Sequence, residues 1–102
     1  MPTEHANNLT EAEAERLVIL AEECAEVIQQ VYKIQRHGFN NDWLKQRLMP
    51  SNRDRLEEEV GHLKNAINVM LEAGDMSYSC IGAALEAKQG TIAPYLHHQG
   101  GD

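Results

Sequence analysis

Two short acidic motifs carry the residues whose types and spacing suit metal chemistry. The first spans residues 22–26 and reads EECAE, and the second spans residues 58–62 and reads EEVGH. Both lie inside runs of apolar residues with helical spacing. A carboxylate beside an apolar stripe is costly unless it is paired or binds a cation. The two motifs therefore predict a carboxylate-lined metal site between two helices.

Helical geometry selects the acidic residues that face inward. At about 100° per residue, Glu23 and Glu26 lie about 60° and 120° from the centre of the apolar stripe, while Glu22 is nearly opposite and solvated. On the second helix, Glu59 lies about 40° and His62 about 100° from the stripe, on one side. We expect these inward-facing side chains to converge on a common object.

A simpler interpretation has to be weighed against the metal site. Acidic residues at the margin of a helix are usually solvated, and Glu59 alone would suit a buried ion pair with Arg or Lys. The metal site is favoured because each of the two helices offers two polar side chains three residues apart at the margin of its apolar stripe. Three or four carboxylates carry more negative charge than one divalent ion neutralises, which fits a site that holds more than one ion together with a polyphosphate. Gly61 costs about 1 kcal/mol in a helix relative to Ala, which suggests that another group approaches closely there.

Helix-boundary signals place both motifs on long helices. Thr10 and Glu13 have the spacing of a capping box, and the helical pattern that follows ends at Gly38. Ser51 begins a second long helix, which ends at Gly74. The apolar stripe of the first helix, centred near Leu20, Cys24 and Val31, consists of Leu17, Leu20, Cys24, Val27, Ile28, Val31 and Ile34.

Two shorter helices complete the expected fold. One spans residues 43–48 and ends before Pro50, and the other begins at Asp75 or Ser77 and ends at Gly90. No strand-like alternation of any length occurs. The pattern is typical of an all-α protein, an antiparallel helical bundle of two long and two shorter helices.

Composition limits the classes of partner. The 102 residues carry a formal net charge of −7, which argues against a nucleic acid polymer or an anionic membrane surface. We expect one domain over residues 1–102, with residues 1–9 and 97–102 as loose tails. A domain this small buries a modest core, so we also expect a homodimer or homotetramer.

The sequence also predicts a compartment. No apolar run approaches the roughly 18 residues that a membrane span requires, and residues 1–5 do not have the features of a secretory signal. Cys24 and Cys80 lie among apolar residues with helical spacing, so we expect buried free thiols. These features together predict a cytoplasmic protein.

The motifs resemble those of the MazG-like all-α nucleoside triphosphate pyrophosphohydrolases, in their compact single-domain form. That family carries EExxE on one helix and EExxD, frequently EExGD, on the next. Residues 22–26 match the first motif fully, and residues 58–62 match the second except at His62. The flanking segments 33–38 and 52–56 are also similar, and the resemblance covers roughly residues 10–98.

The resemblance implies an activity, a cofactor and a set of site residues. Members of the family hydrolyse a (deoxy)nucleoside triphosphate to the monophosphate and pyrophosphate, with Mg²⁺ held by these acids; Mn²⁺ is an alternative ion. Transferred by position, Glu23, Glu26 and Glu59 would bind the metal. Glu22 would be either a further ligand or the residue that activates water, a role for which Glu23 is also a candidate. The candidates for substrate contact are Lys33, Arg36 and Lys88 for phosphate and Trp43 for the base. Alternatively, the three cationic side chains are solvated at the surface, and Trp43 packs in the core.

His62 departs from the family pattern and leaves alternatives open. Imidazole suits Mn²⁺, Zn²⁺ or iron better than Mg²⁺. The site would then work with one fewer carboxylate, prefer a softer metal, or bind nucleotide without turnover. Glu59-x-x-His62 together with Glu26 also resembles half of a carboxylate di-iron site, which a symmetric dimer would complete as a ferroxidase.

Overall fold

The computed structural model describes residues 6–41 and 49–99, and every regular element in these ranges is helical. Three α-helices follow one another: α1 (Glu11–His37), α2 (Asn52–Ala73) and α3 (Tyr78–Thr91), after which residues Ala93–Tyr95 form a 3-10 turn. The predicted all-α class is confirmed, as are two long helices and one shorter helix. The helix predicted over residues 43–48 lies outside the described residues, as do the ends of both predicted tails.

Side-chain caps fix the first turn of each long helix. Thr10 accepts a hydrogen bond from the backbone N–H of Glu13 at 3.1 Å, and Glu13 accepts one from the N–H of Thr10 at 2.8 Å. Ser51 and Asp54 form the same reciprocal pair at 3.1 and 2.9 Å. Such boxes satisfy amide groups that a helix start leaves without partners. The predicted starts of both long helices are therefore confirmed.

The long helices pack as an antiparallel hairpin that is tied at both ends. At the closed end, the Asn52 side-chain amide donates to the Gly38 carbonyl at 3.1 Å, and Asn41 accepts from the Asn52 N–H at 2.9 Å. At the other end, Arg16 on α1 pairs with Asp75, just after α2. The two ties fix how the helices slide along one another, and thus which side chains meet halfway along.

The surface that α1 presents to α2 differs from the predicted stripe. The partly buried positions of α1 include Leu20, Glu23, Val27 and Ile34, whereas Cys24 is exposed. By helical geometry Cys24 lies about 70° around the axis from the centre of these four positions. The apolar arc of α1 is wider than one neighbouring helix can cover, so the predicted centre of the stripe was wrong. The true facing side includes Glu23.

Helix α3 extends from the hairpin and makes at most marginal contact with it. Every residue of α3 is exposed. The radius of gyration is 18.1 Å, against about 13 Å for a compact chain of this length. Among the described residues, the buried apolar side chains are Ala66 and Met70. Packing of α3 into a four-helix bundle therefore stays a prediction.

Two smaller expectations were wrong. Cys24 and Cys80 are free thiols but exposed rather than buried, because the outer side of α1 and all of α3 have no covering element in the described chain. A methyl group at Gly61 would meet no atom within 4 Å, so no other helix of the described chain approaches it closely, and approach of a ligand stays a prediction. None of the described helices combines the length and the apolar character that crossing a membrane requires.

Candidate metal centre

Four side chains meet on one side of the hairpin, halfway along its length. Glu23 and Glu26 come from α1, and Glu59 and His62 from α2. Each offers one ligand atom, and these atoms all lie within 4.8 Å of one another. Nδ1 of His62 lies 3.6 Å from Oε2 of Glu23 and 3.5 Å from Oε2 of Glu59. The four residues that the sequence predicted to face a common object do lie together.

The four side chains converge because each helix carries two of them three residues apart and because the two helices pack antiparallel. Residues three apart on a helix are neighbours on its surface, so each helix supplies a pair of side chains about one turn apart. The antiparallel arrangement turns both pairs toward the same side of the hairpin. Glu23 and Glu59 lie nearest the seam, with side chains only 20% and 18% exposed. His62 is half exposed and Glu26 is exposed, so the group opens toward solvent.

The acidic residues are incompletely neutralised. Oε2 of Glu23 and Oε2 of Glu59 are buried, and neither accepts a hydrogen bond from the described residues. Their distances to His62 are too long for good hydrogen bonds. A hydrogen bond with Glu59, the like charge of Glu59 and partial desolvation raise the pKa of Glu26, with a smaller opposing effect from His62. One proton shared between two carboxyl groups is the response expected where negative charge lacks a counter-ion.

This donor set fits a divalent cation. Carboxylate oxygens are the ligands that Mg²⁺ and Mn²⁺ prefer, and an imidazole favours Mn²⁺ or a later transition metal over Mg²⁺. Buried oxygens without partners are costly in a metal-free protein, and a cation would satisfy them. The open side also leaves room for water or a substrate oxygen.

The remaining acidic residues take peripheral positions. Glu22 is exposed and outside the four-residue group, but it precedes Glu26 by one turn and lies about 40° from it around the axis. Oε1 of Glu58 comes within 4.0 Å of Nε2 of His62. Its spacing of four residues from His62 on α2 is the sequence signal for this contact. A cavity of about 250 Å³ adjoins the group, lined by Ile19, Glu23, His62, Asn65 and Ala66.

The candidate substrate contacts fall into three cases. Lys33 and Arg36 line one open cavity of about 480 Å³ together with Gln29 and Tyr32. Lys33 follows Glu26 by seven residues, which places it on the same side of α1 and about 10 Å further along. Lys88 lies on α3, away from the acidic group in a single chain, and its role stays a prediction. Trp43 lies outside the described residues.

Comparison of the chain with protein-family models, with curated proteins and with solved structures gives no significant match. The resemblance to the MazG-like enzymes therefore depends on the sequence motifs alone.

Proposed function

We propose that this chain is a metal-dependent nucleoside triphosphate pyrophosphohydrolase, which converts a (deoxy)nucleoside triphosphate and water into the monophosphate and pyrophosphate. The observation that carries the proposal is the convergence of Glu23, Glu26, Glu59 and His62, with two buried carboxylate oxygens without hydrogen-bond partners. A homodimer or homotetramer remains part of the proposal, because a single chain leaves so little of its apolar surface buried.

Metal binding is assigned to Glu23, Glu26, Glu59 and His62, which together are called the metal group. When bound, Mg²⁺ or Mn²⁺ would neutralise phosphate charge and lower the pKa of water at the site. Glu23 and Glu59 place their carboxylates at the seam of the two helices, where their side chains are only 20% and 18% exposed before substrate arrives. Such preorganisation reduces the rearrangement that the reaction requires.

Water activation is assigned to Glu22 or Glu23. The carboxylate orients a water molecule and accepts its proton as the water oxygen bonds to the α-phosphorus. The bond from the α-phosphorus to the oxygen that bridges to the β-phosphorus breaks, and that oxygen leaves with pyrophosphate. Glu22 is exposed and lies outside the metal group, so it is free to receive the proton.

Phosphate binding is assigned to Lys33 and Arg36. Both line one open cavity further along α1, and Lys33 lies on the same side of the helix as Glu26, about two turns on. A metal–triphosphate complex has the matching polarity. Lys and Arg near the phosphates also offset a chain whose net charge is −7.

The decisive assay offers a panel of nucleoside triphosphates with Mg²⁺ or Mn²⁺ and measures monophosphate and pyrophosphate. We expect stoichiometric release of the two products, which Glu59→Gln abolishes while far-UV circular dichroism is unchanged. Glu57→Gln is the matched control, because Glu57 is an exposed acid on the same helix outside the metal group. Turnover by Glu59→Gln at the level of the control would overturn the assignment.

A di-iron oxidase is the second candidate, favoured by the position of His62 beside both Glu23 and Glu59. Glu26 with Glu59-x-x-His62 supplies carboxylate and imidazole ligands from facing helices, as such sites do. Metal analysis of protein purified without added metal separates the two candidates. Tightly bound iron at two ions per dimer supports the oxidase. Absence of iron, together with pyrophosphate release, supports the main proposal.

A further inference from the structure

The hairpin has two unlike sides. One side carries the metal group, and the other carries a stripe that we call the outer stripe. It consists of Leu17, Cys24, Ile28 and Val31. These residues repeat at intervals of three, four or seven, so they form one line along α1, about 100° from the side that packs on α2. All four are exposed, and none of them is charged.

Helix α3 is a second uncovered apolar surface. Between Tyr78 and Leu85 it contains no charged residue, yet every position is exposed. A helix that is apolar on all sides is normally buried. In this arrangement its own hairpin makes at most marginal contact with it. Gly74 adopts a left-handed conformation at the end of α2, and Asp75 is held by Arg16.

The exposed area is of the size that a second chain would remove. The accessible surface of the chain is 8171 Å², whereas a compact monomer of this mass exposes about 5,800 Å². The excess, about 2,400 Å², lies in the range of about 1,000–2,500 Å² that each partner buries in an obligate homodimer.

We propose that the outer stripe is the docking surface for α3 of a second copy of this chain. The two surfaces match in length, since Leu17 to Val31 spans about 21 Å of α1 and Tyr78 to Thr91 spans about 20 Å. In a two-fold dimer the contact occurs twice, so both uncovered surfaces of each chain are buried. The metal groups, on the other side of each hairpin, stay open to substrate. The proposal does not depend on the enzymatic assignment.

A charge placed in the outer stripe tests the interface. We expect the full chain to sediment as a dimer or a multiple of it at micromolar concentration, and Ile28→Glu to shift it to monomer. Val18→Glu is the matched control, because Val18 is exposed on α1 but points away from both the outer stripe and α2. A folded wild-type monomer at that concentration overturns the proposal. Equal dissociation by the control variant also overturns it.

The two native cysteines test the pairing of the helices, since Cys24 lies in the outer stripe and Cys80 on α3. Chains with Cys24→Ser and chains with Cys80→Ser, co-expressed with different tags, are treated with a bismaleimide. A spacer of about 15 Å suits helices whose axes lie about 8–10 Å apart. We expect the cross-linked product to contain one chain of each tag. Products that join two Cys24 residues, or no product at all, overturn the docking of α3 on α1.

Discussion

Arg16 and Asp75 form a two-point ion pair that joins the start of α1 to the turn between α2 and α3. Nε of Arg16 donates to Oδ2 of Asp75 at 2.6 Å, and an Nη2 hydrogen donates to Oδ1 at 3.0 Å. The two groups are 59 residues apart in the sequence. A guanidinium group matches a carboxylate in this paired geometry, which fixes direction as well as distance.

Loss of this pair should destabilise the hairpin. Asp75→Asn removes the charge and leaves the Arg16 guanidinium without its partner, so we expect the thermal unfolding midpoint to fall by a few degrees. The exposed Glu72→Gln on α2 is the control and should change the midpoint by much less. An unchanged midpoint in Asp75→Asn would show that the pair adds no net stability.

The same pair predicts a pH dependence. The hydrogen bonds and charge of Arg16 lower the pKa of Asp75 below its ordinary value of 3.8. Its contribution to stability is therefore complete above that value and is lost as the pH falls through the lower, folded pKa. Urea unfolding should show a gap between wild type and Asp75→Asn that is constant near neutral pH and closes in acid. A gap that widens in acid would contradict this sign.

The metal group predicts opposite effects of one substitution with and without metal. Glu59→Gln removes one of several crowded carboxylates, so the metal-free variant should unfold at the wild-type temperature or above it. Wild type should gain about 2.7 kcal/mol at a metal concentration 100 times its Kd, and the variant should gain almost nothing. Thermal scans with Mn²⁺ or a chelator measure both, and Glu57→Gln should behave as wild type.

His62 should control the choice of metal. In His62→Asp a fourth carboxylate replaces imidazole, so Mg²⁺ should bind more tightly relative to Mn²⁺ than it does in wild type. Calorimetric titration of both variants with each ion gives the ratio of the two affinities. If that ratio is the same in both proteins, the His62 imidazole is not a metal ligand.

Lys33 should affect substrate binding more than turnover. Lys33→Gln removes a cation about 10 Å along α1 from Glu26, so KM for the triphosphate should rise several-fold while kcat changes little. Lys64→Gln, at an exposed position on the other long helix, is the control. The increase should shrink at high salt, where charge interactions are screened.

The sequence predicted the features that depend on local chemistry. Thr10 and Ser51 cap the long helices because their hydroxyl groups can reach the backbone three residues on. Gly38 and Gly74 end these helices with positive φ angles of 80° and 84°. The spacing of three residues within each acidic pair fixed which side chains would share a side of each helix, so the metal group was predictable from helical geometry.

The features that depend on packing between elements were not predictable in the same way. Cys24 and Val31 belong to the apolar arc of α1, but periodicity alone cannot tell which part of a wide arc faces the neighbouring helix. The ion pair of Arg16 with Asp75 depends on how the two helices slide along one another. The hydrogen bonds of Asn52 at the closed end of the hairpin and the ion pair itself fix that register together, and no local pattern encodes either contact.

Because α3 makes at most marginal contact with the hairpin in the described part of the chain, its amide hydrogens should report on assembly. An isolated helix of 14 residues is close to the length at which helices are marginal in water. Its backbone should exchange hydrogen with deuterated solvent rapidly when the chain is dilute, while the α1–α2 hairpin remains protected. Slow exchange across Tyr78–Thr91 would then appear only as the chain concentration rises, so the exchange rate of this helix would measure how far the chains have associated.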